Sequence, residues 1–308
     1  MNKRARSGKL LNLRLMHMAA RLHYLDGLSQ VEVARRMEVS TASVSRLLAL
    51  ARTEGVVRIE VVDLEEADDL GTRLSKALGL KSVQVVEGGP GALSEHVGEM
   101  LQDAELPTDA VVAVGWGRTI HGIISAGLPP RPGAIVIPAM GGMNETAAHF
   151  QINEFVRRAA EQLGGTARLL FAPSMVSPEL SKMLEQDPNI SALFAMWDRA
   201  DAAILGIGRF DGEQASTDLE FPSEDAGHVV GDVLRHYFDK NGEEIRWKGQ
   251  ERLLSIRRDQ LADLPLSIGA AIGREKAEAI LGAVRSGMIN ALVTDPQAAV
   301  RLLEIADT

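Results

Sequence analysis

The run AVVAVGWGRTIHGIISA (110–126) places an unbroken apolar stretch against a turn with two glycines, followed at once by a helical segment. Ala110 to Val114 show no polar alternation, as expected of a strand covered on both faces rather than one side of a sheet in water. Similar runs recur along the chain: SVQVVE (82–87), AIVIPAMGG (134–142), ARLLFAPS (167–174), AAILGIG (202–208) and INALVTD (289–295). Helical candidates at 92–104, 149–163 and 274–287 lie between several of them. Buried strands linked by helices predict an α/β body built on a doubly wound, mostly parallel sheet. Ligands of such sheets sit at the carboxyl ends of the strands.

Three of those ends carry chemistry. After the strand at 110–114, Gly115 and Gly117 let the main chain approach an anion, and Arg118 and Thr119 head the following helix. Free amides at a helix start favour negative charge. The spacing lacks the third glycine of the dinucleotide fingerprint, so an anion cradle and a plain turn both remain open. Gly206 and Gly208 repeat the theme. In GAAIGREKAEAIL (269–281), Gly273 is read as a strand end, with Lys276 in the first helical turn. A cation there opposes the helix dipole. A bound phosphate would resolve the mismatch; the alternative is a lysine extended to solvent or paired with Glu275.

Constellations for catalysis are scarce. The chain has no phosphate-binding P-loop, no HExxH, no G-x-S-x-G elbow and no paired-histidine metal spacing. A lone histidine such as His149 reads as an ordinary hydrogen-bonded residue. Asp232 and Asp295 suit acid/base work, helix capping or acceptance of sugar hydroxyls equally. Neither a cofactor nor a metal is expected. Cysteine is absent, which excludes disulfides and thiolate chemistry. Residues 1–20 are basic, and Asn12, Arg14 and His17 break their apolar stretch. No apolar run reaches the roughly 18 residues of a membrane span, and a cytoplasmic protein without membrane partners is expected.

At 308 residues, 45% of them hydrophobic, the chain exceeds one typical domain. Its charge is also divided. Ten Lys or Arg and four acids give residues 1–55 a formal charge of +6, so the remainder of a chain with net charge −9 carries −15. A basic head on an acidic body points to a polyanion partner for the head. The head contains QVEVARRMEVSTASVSRLLAL (30–50), in the pattern of a helix-turn-helix. Val33, Ala34 and Met37 form the inner face of a first helix, Val39 plugs the turn, and Val44, Leu47 and Leu48 line a second helix capped by Ser40 or Thr41. Glu38 stands where the turn commonly has glycine. Thr41, Ala42, Ser43, Ser45 and Arg46 face outward, short enough to approach base edges or, for Arg46, able to reach a guanine. Arg35, Arg36 and Arg52 suit backbone phosphate contacts, and the arm from Lys3 to Lys9 is read either as reaching a neighbouring groove or as simply disordered. The plainer reading is a helix pair used only for packing. EGVVRIEVVD (54–63) reads as a wing and the acidic DLEEADDL (63–70) as a linker, which predicts a winged helix-turn-helix domain over 1–62 and an effector domain over 63–308.

Taken together, YLDGLSQVEVARRMEVSTASVSRLLALARTEGVVRIEV, VGWGRT, GGMNETAAHFQINEFVRRAAEQLGG, ILGIG, GDVLRHYFDKNGEE and IGREKAEAILGAVRSGMINALVTD resemble, in order and over nearly the whole chain, the SorC/DeoR-type sugar-responsive bacterial transcriptional regulators. The resemblance implies a DNA-binding head on a domain similar to sugar-phosphate isomerase and deaminase folds, assembled as a homodimer or homotetramer. It implies a phosphorylated sugar or related metabolite as effector. By the same resemblance, Gly115, Gly117, Arg118 and Thr119 border the pocket, Gln151 and Asn153 form a polar pair facing it, Asp232 lies near sugar hydroxyls and Lys276 contacts phosphate; Asn144 and Gly208 join this set. The expected function is therefore a transcriptional regulator of carbohydrate metabolism that binds double-stranded operator DNA. The alternatives are a sugar-phosphate isomerase or deaminase carrying a DNA-binding domain, and a sensor of a non-phosphorylated polyol.

Overall fold

In the computed structural model, residues 14–25, 27–53, 55–57, 64–143, 147, 151–210 and 227–306 are described. Asn144, His149, the Lys3–Lys9 arm and most of the 54–63 stretch lie outside them. The chain divides into two compact units, 1–62 and 63–308.

In the first unit a helix over 14–20 (α1) runs into a wider turn, Arg21–Leu25, followed by α2 (Gln30–Met37) and α3 (Thr41–Thr53). Ser29 and Glu32 cap α2 reciprocally, each side chain meeting the other's backbone N–H, which satisfies two donors that a bare helix start leaves open. Glu38 ends α2 in the left-handed region, φ 54°, at the position where glycine is usual. Ser40, not Thr41, caps α3: its hydroxyl accepts from the Ser43 N–H at 3.1 Å. The small core gathers Met16, Ala19, Ala20, Val33, Ala34, Val44, Leu48 and Ala51, with Met37 and Leu47 packed at its edge. Val39 does not plug the turn: it is 36% exposed, because its role is carried by its backbone N–H, which closes α2 on the Ala34 carbonyl.

The second unit is built on a seven-stranded sheet. Its strands are β1 (Ser82–Val85), β2 (Val111–Val114), β3 (Ile135–Pro138), β4 (Thr166–Ala167), β5 (Ala202–Gly206), β9 (Leu266–Ala270) and β10 (Ala291–Thr294). A separate three-stranded antiparallel sheet joins β6 (Gly208–Arg209), β7 (Gly231–Val233) and β8 (His236–Phe238). The large sheet runs β1-β10-β9-β5-β2-β3-β4 with every pair parallel. Successive residues feed opposite cores. Val111, Ala113, Ala203, Leu205 and Leu292 enter one cluster, whereas Val112, Val114, Ala202, Ile204 and Val293 enter the other. That division is the physical reason the strands read as continuous apolar runs.

Helices cover both faces. α5 (Leu93–Asp103), α6 (Arg118–Ala126) and most of α7 (Ile152–Leu163) pack on the Val112 side. α4 (Leu64–Leu78), α9 (Pro188–Asp198), α10 (Arg258–Ala262), α11 (Ala277–Arg285) and α12 (Pro296–Ala306) contribute to the Val111 side, and α8 (Pro178–Gln186) packs beside α9.

Two expectations change. The run 167–174 is a regular strand only at its start, since the Leu170 N–H is taken by the Asn153 side chain at 3.2 Å instead of a neighbouring strand, and pairing resumes as a single bridge between Pro173 and Gly142. Gly273 lies three residues beyond the end of β9, not at it; it takes φ 105° to turn the chain into a short Arg274–Lys276 turn that leads into α11.

Candidate functional site

The strand order reverses between β2 and β5. From β2 the chain moves outward to β3 and β4, whereas β5, β9 and β10 lie on the other side. A crevice at the carboxyl ends is the geometric consequence of such a switch point, and three segments converge there.

The first is Gly115–Thr119. Gly115 continues the pairing of β2 with a hydrogen bond to the Ile204 carbonyl, 2.9 Å. Gly117 takes φ 116° and starts α6 with no side-chain cap, leaving the first-turn amides open to an outside acceptor. Arg118 is exposed and Thr119 half-buried beside it. The second segment leaves β5. A Cβ on Gly206 would come within 2.9 Å of the Trp116 carbonyl, and one on Gly208 would overlap the Asp232 carboxylate, so main chain approaches the first position closely and a side chain fills the space at the second. The third is the turn Gly273–Lys276. It is pinned by the Gly273 N–H donating to Asp295 Oδ1 at 2.8 Å, and Asp295 also accepts from Ala298 N at 3.3 Å. Asp295 is thereby a structural cap of α12.

Lys276 reaches back to the residue that follows β5. Its Nζ donates to the Ile207 carbonyl at 2.8 Å; it neither extends to solvent nor depends on Glu275 for a partner. Burial pushes its pKa down, opposed by Asp232 and Glu275 and assisted by Arg118 and Arg209. Asp232 lies on β7 opposite Gly208. Burial raises its pKa, against the lowering pull of the Arg235 N–H, Lys276, Arg235 and His236. Its Oδ2 accepts the Arg235 N–H at 2.9 Å.

That N–H belongs to the β7–β8 hairpin tip, Leu234–Arg235, where φ is 51° and 67°. A two-residue hairpin demands left-handed φ and usually takes Asn-Gly; each bulky residue held there costs about 1–2 kcal/mol. Both side chains are buried, at 3% and 2% exposure. Leu234 packs toward Gly115, and the Arg235 guanidinium lies 4.8 Å over the Trp247 ring. Sequence reasoning missed Arg235. The local signal was a hairpin with no turn residues, closed by Val233 and His236.

The remaining expected site residues separate. Gln151 is exposed at the start of α7. Asn153 spends its amide on a main chain: Nδ2 donates to the Leu170 carbonyl at 2.9 Å and Oδ1 accepts the Leu170 N–H. Among the described residues, no group of three or more His, Asp or Glu side chains is arranged to hold a metal ion, and no helix is long and apolar enough to cross a membrane.

In the first unit, Thr41, Ala42, Ser45 and Arg46 are exposed along one side of α3, with Arg35, Arg36 and Arg52 exposed nearby in sequence. Ser43 is half-buried and shares its hydroxyl with Ser40 at 2.8 Å.

A parallel sheet with a cation-bearing crevice at its switch point, preceded by a small unit of capped helices, defines a class: a ligand-binding α/β body carried behind a helical head. Residues 62–304 match the family described as "Putative sugar-binding domain", and the chain belongs to that family. The sorbitol operon regulator of Klebsiella pneumoniae is 30% identical, with 95% of this chain and 98% of that protein aligned. The deoxyribonucleoside regulator of Bacillus subtilis is 28% identical over 91% and 94% of the two chains. The crystal structure of the full-length sorbitol operon regulator SorC from Klebsiella pneumoniae superposes with a TM-score of 0.70 at 28% identity, covering 94% of this chain and 99% of that one. These relatives are regulators, not enzymes by name, and they share nearly the full length of this chain.

Proposed function

We propose that this member of the family is a transcriptional regulator of carbohydrate metabolism whose operator binding is controlled by a phosphorylated sugar or polyol. The observation that carries the reading is the placement of Lys276 and Arg118 at a switch-point crevice beside the uncapped start of α6. A phosphate there meets first-turn amides, the Thr119 hydroxyl and a buried ammonium, a combination that favours a doubly charged anion over a neutral polyol. Asp232 supplies an acceptor for hydroxyl groups at the other side of Lys276. Gly115, Gly117 and Gly208 give the ligand access to main chain. We assign Asn153 a structural role and leave Gln151 as a rim residue.

The head binds double-stranded DNA as a winged helix-turn-helix. Arg46 and the short residues Thr41, Ala42 and Ser45 of α3 read base edges, Ser43 holds the helix start, and Arg35 contacts phosphate. The protein acts as a homodimer or homotetramer, because two heads at fixed spacing are what a symmetric operator measures. The effector works by preferring one arrangement of the heads over another. It is bound, not turned over: Asp295, one of the two candidate bases, is committed to capping α12.

A thermal-shift panel tests the ligand class directly, since a ligand that prefers the native state raises its melting temperature. Polyol and sugar phosphates are expected to stabilise the full chain more than their unphosphorylated forms. Equal stabilisation by the free polyol would assign the site to a neutral ligand, and turnover of a pentose phosphate or an amino-sugar phosphate would assign it to an enzyme.

A further inference from the structure

Arg235 is among the largest fully buried side chains of the described residues, 2% exposed, and it stands at a backbone position that disfavours every residue but glycine. A buried guanidinium on a strained tip is retained only where its surroundings define it. Here they do. The guanidinium stacks on Trp247 at 4.8 Å, and Trp247 meets Tyr237 edge-on at 6.0 Å. The same residue's N–H holds Asp232 Oδ2, and Gly208 leaves room for Oδ1. The charged and titratable groups whose fields reach Asp232 are Arg235, His236 and Tyr237 from the hairpin and Lys276 from the turn before α11. His236 is tied to the Ile256 carbonyl at 2.8 Å, and burial lowers its pKa. Lys276 is tied to Ile207. Arg235 thus links two contacts on one tip, its guanidinium over Trp247 and its main-chain N–H on the Asp232 carboxylate.

We propose that Arg235 is a positioning residue: its guanidinium, stacked on Trp247, holds the β7–β8 tip so that its main-chain N–H fixes the Asp232 carboxylate toward the strand ends, and the tip thereby selects effectors by their hydroxyl groups. The inference rests on the effector reading above. It separates two jobs in one site, with phosphate held by the α6 start and Lys276, and hydroxyls held by a carboxylate that the tip orients.

The test uses the full chain as wild type, Arg235→Met, Arg235→Lys and the milder Trp247→Phe. The Asp232 carboxyl is followed by carbon NMR titration, assigned with Asp232→Asn, and thermal shifts are read with inorganic phosphate and with a hexitol 6-phosphate. Arg235→Met is expected to raise the Asp232 pKa, to keep the phosphate shift, and to weaken hexitol-phosphate binding at least about tenfold. That last loss grows as pH falls through the Asp232 titration. Arg235→Lys restores part of both effects, and Trp247→Phe moves them in the same direction by less, which serves if Arg235→Met does not fold. An unchanged Asp232 titration, or equal loss of both ligands, overturns the proposal. A wild-type chain shifted by neither probe overturns the effector reading and the ligand half of this one, while the titration still decides whether Arg235 holds the tip against Asp232.

Discussion

Lys276 and Ile207 are joined by a 2.8 Å hydrogen bond from an ammonium to a main-chain carbonyl, which ties the approach to α11 to the end of β5. The lysine that reads from sequence as a mismatch with a helix dipole is thus pre-placed over the strand ends. Replacing it with alanine is expected to remove a charge-assisted contact worth about 1.5–3 kcal/mol to a phosphate ligand, or about 10- to 100-fold in affinity. Affinity for DNA should be unaltered in the absence of ligand. Because burial holds the Lys276 pKa below the usual lysine range, the ammonium loses its proton at a less alkaline pH than a free lysine, and ligand affinity should fall as pH rises. Isothermal titration of wild type and Lys276→Ala across neutral to alkaline pH measures both effects.

Asn153 gives the opposite expectation. Its amide makes two hydrogen bonds with Leu170, so Asn153→Ala leaves a partly buried backbone N–H and C=O without their partner. A stability loss of about 1–3 kcal/mol should follow, read by urea denaturation, with ligand affinity per folded molecule intact. Loss of ligand affinity without loss of stability would return Asn153 to the pocket.

Glu154 accepts from both Arg157 and Arg158, at 2.9 and 2.7 Å, and these hydrogen bonds hold its pKa down to about 2. A carboxylate with a depressed folded pKa adds stability above its ordinary value of 4.5 and loses it as pH falls through about 2. The group is 39% exposed on its side chain, and solvent screening keeps the contribution to about 1 kcal/mol or less. Glu154→Gln should therefore cost a little at pH 7, with the difference from wild type shrinking between pH 4.5 and pH 2. A constant difference in denaturation midpoints across that window would rule the pairing out.

Much of this arrangement was legible in the residues, for reasons that the structure makes concrete. Val111 and Val112 feed opposite cores, so a strand at 110–114 had to read as unbroken apolar sequence. Gly117 and Gly273 sit at φ 116° and 105°, which only glycine adopts cheaply; Gly117 was visible as a turn, whereas Gly273 read as a strand end. The small β6–β8 sheet was not legible. Its strands have two or three residues each, too short for a periodic signal, and its tip carries Leu234 and Arg235 where a readable hairpin has Asn-Gly. Nor was the short reach of β4, since the bond that ends it comes from Asn153 on α7. The starts of α8 and α9 carried an available signal, Ser177-Pro178 and Asp187-Pro188, in which a capping side chain precedes a proline at the first helical position.

The assignment of α3 as the DNA reader predicts unequal losses. Arg46→Ala should cost about 1–3 kcal/mol on a specific duplex and much less on a random one. Lys3→Ala should weaken both alike and reduce the salt dependence by about one unit of slope. Equal losses for Arg46→Ala on both duplexes would move base reading elsewhere.

One measurement bears most directly on the central claim. Sites selected by the full chain from a random duplex library are titrated by fluorescence anisotropy at about 0.15 M salt, with and without a hexitol 6-phosphate. The account predicts a recovered two-fold or repeated consensus, bound at least about a thousandfold more tightly than random duplex, and an affinity that the phosphorylated polyol changes while the free polyol does not. Binding without sequence preference, or specific binding that no sugar or polyol phosphate alters, would contradict it.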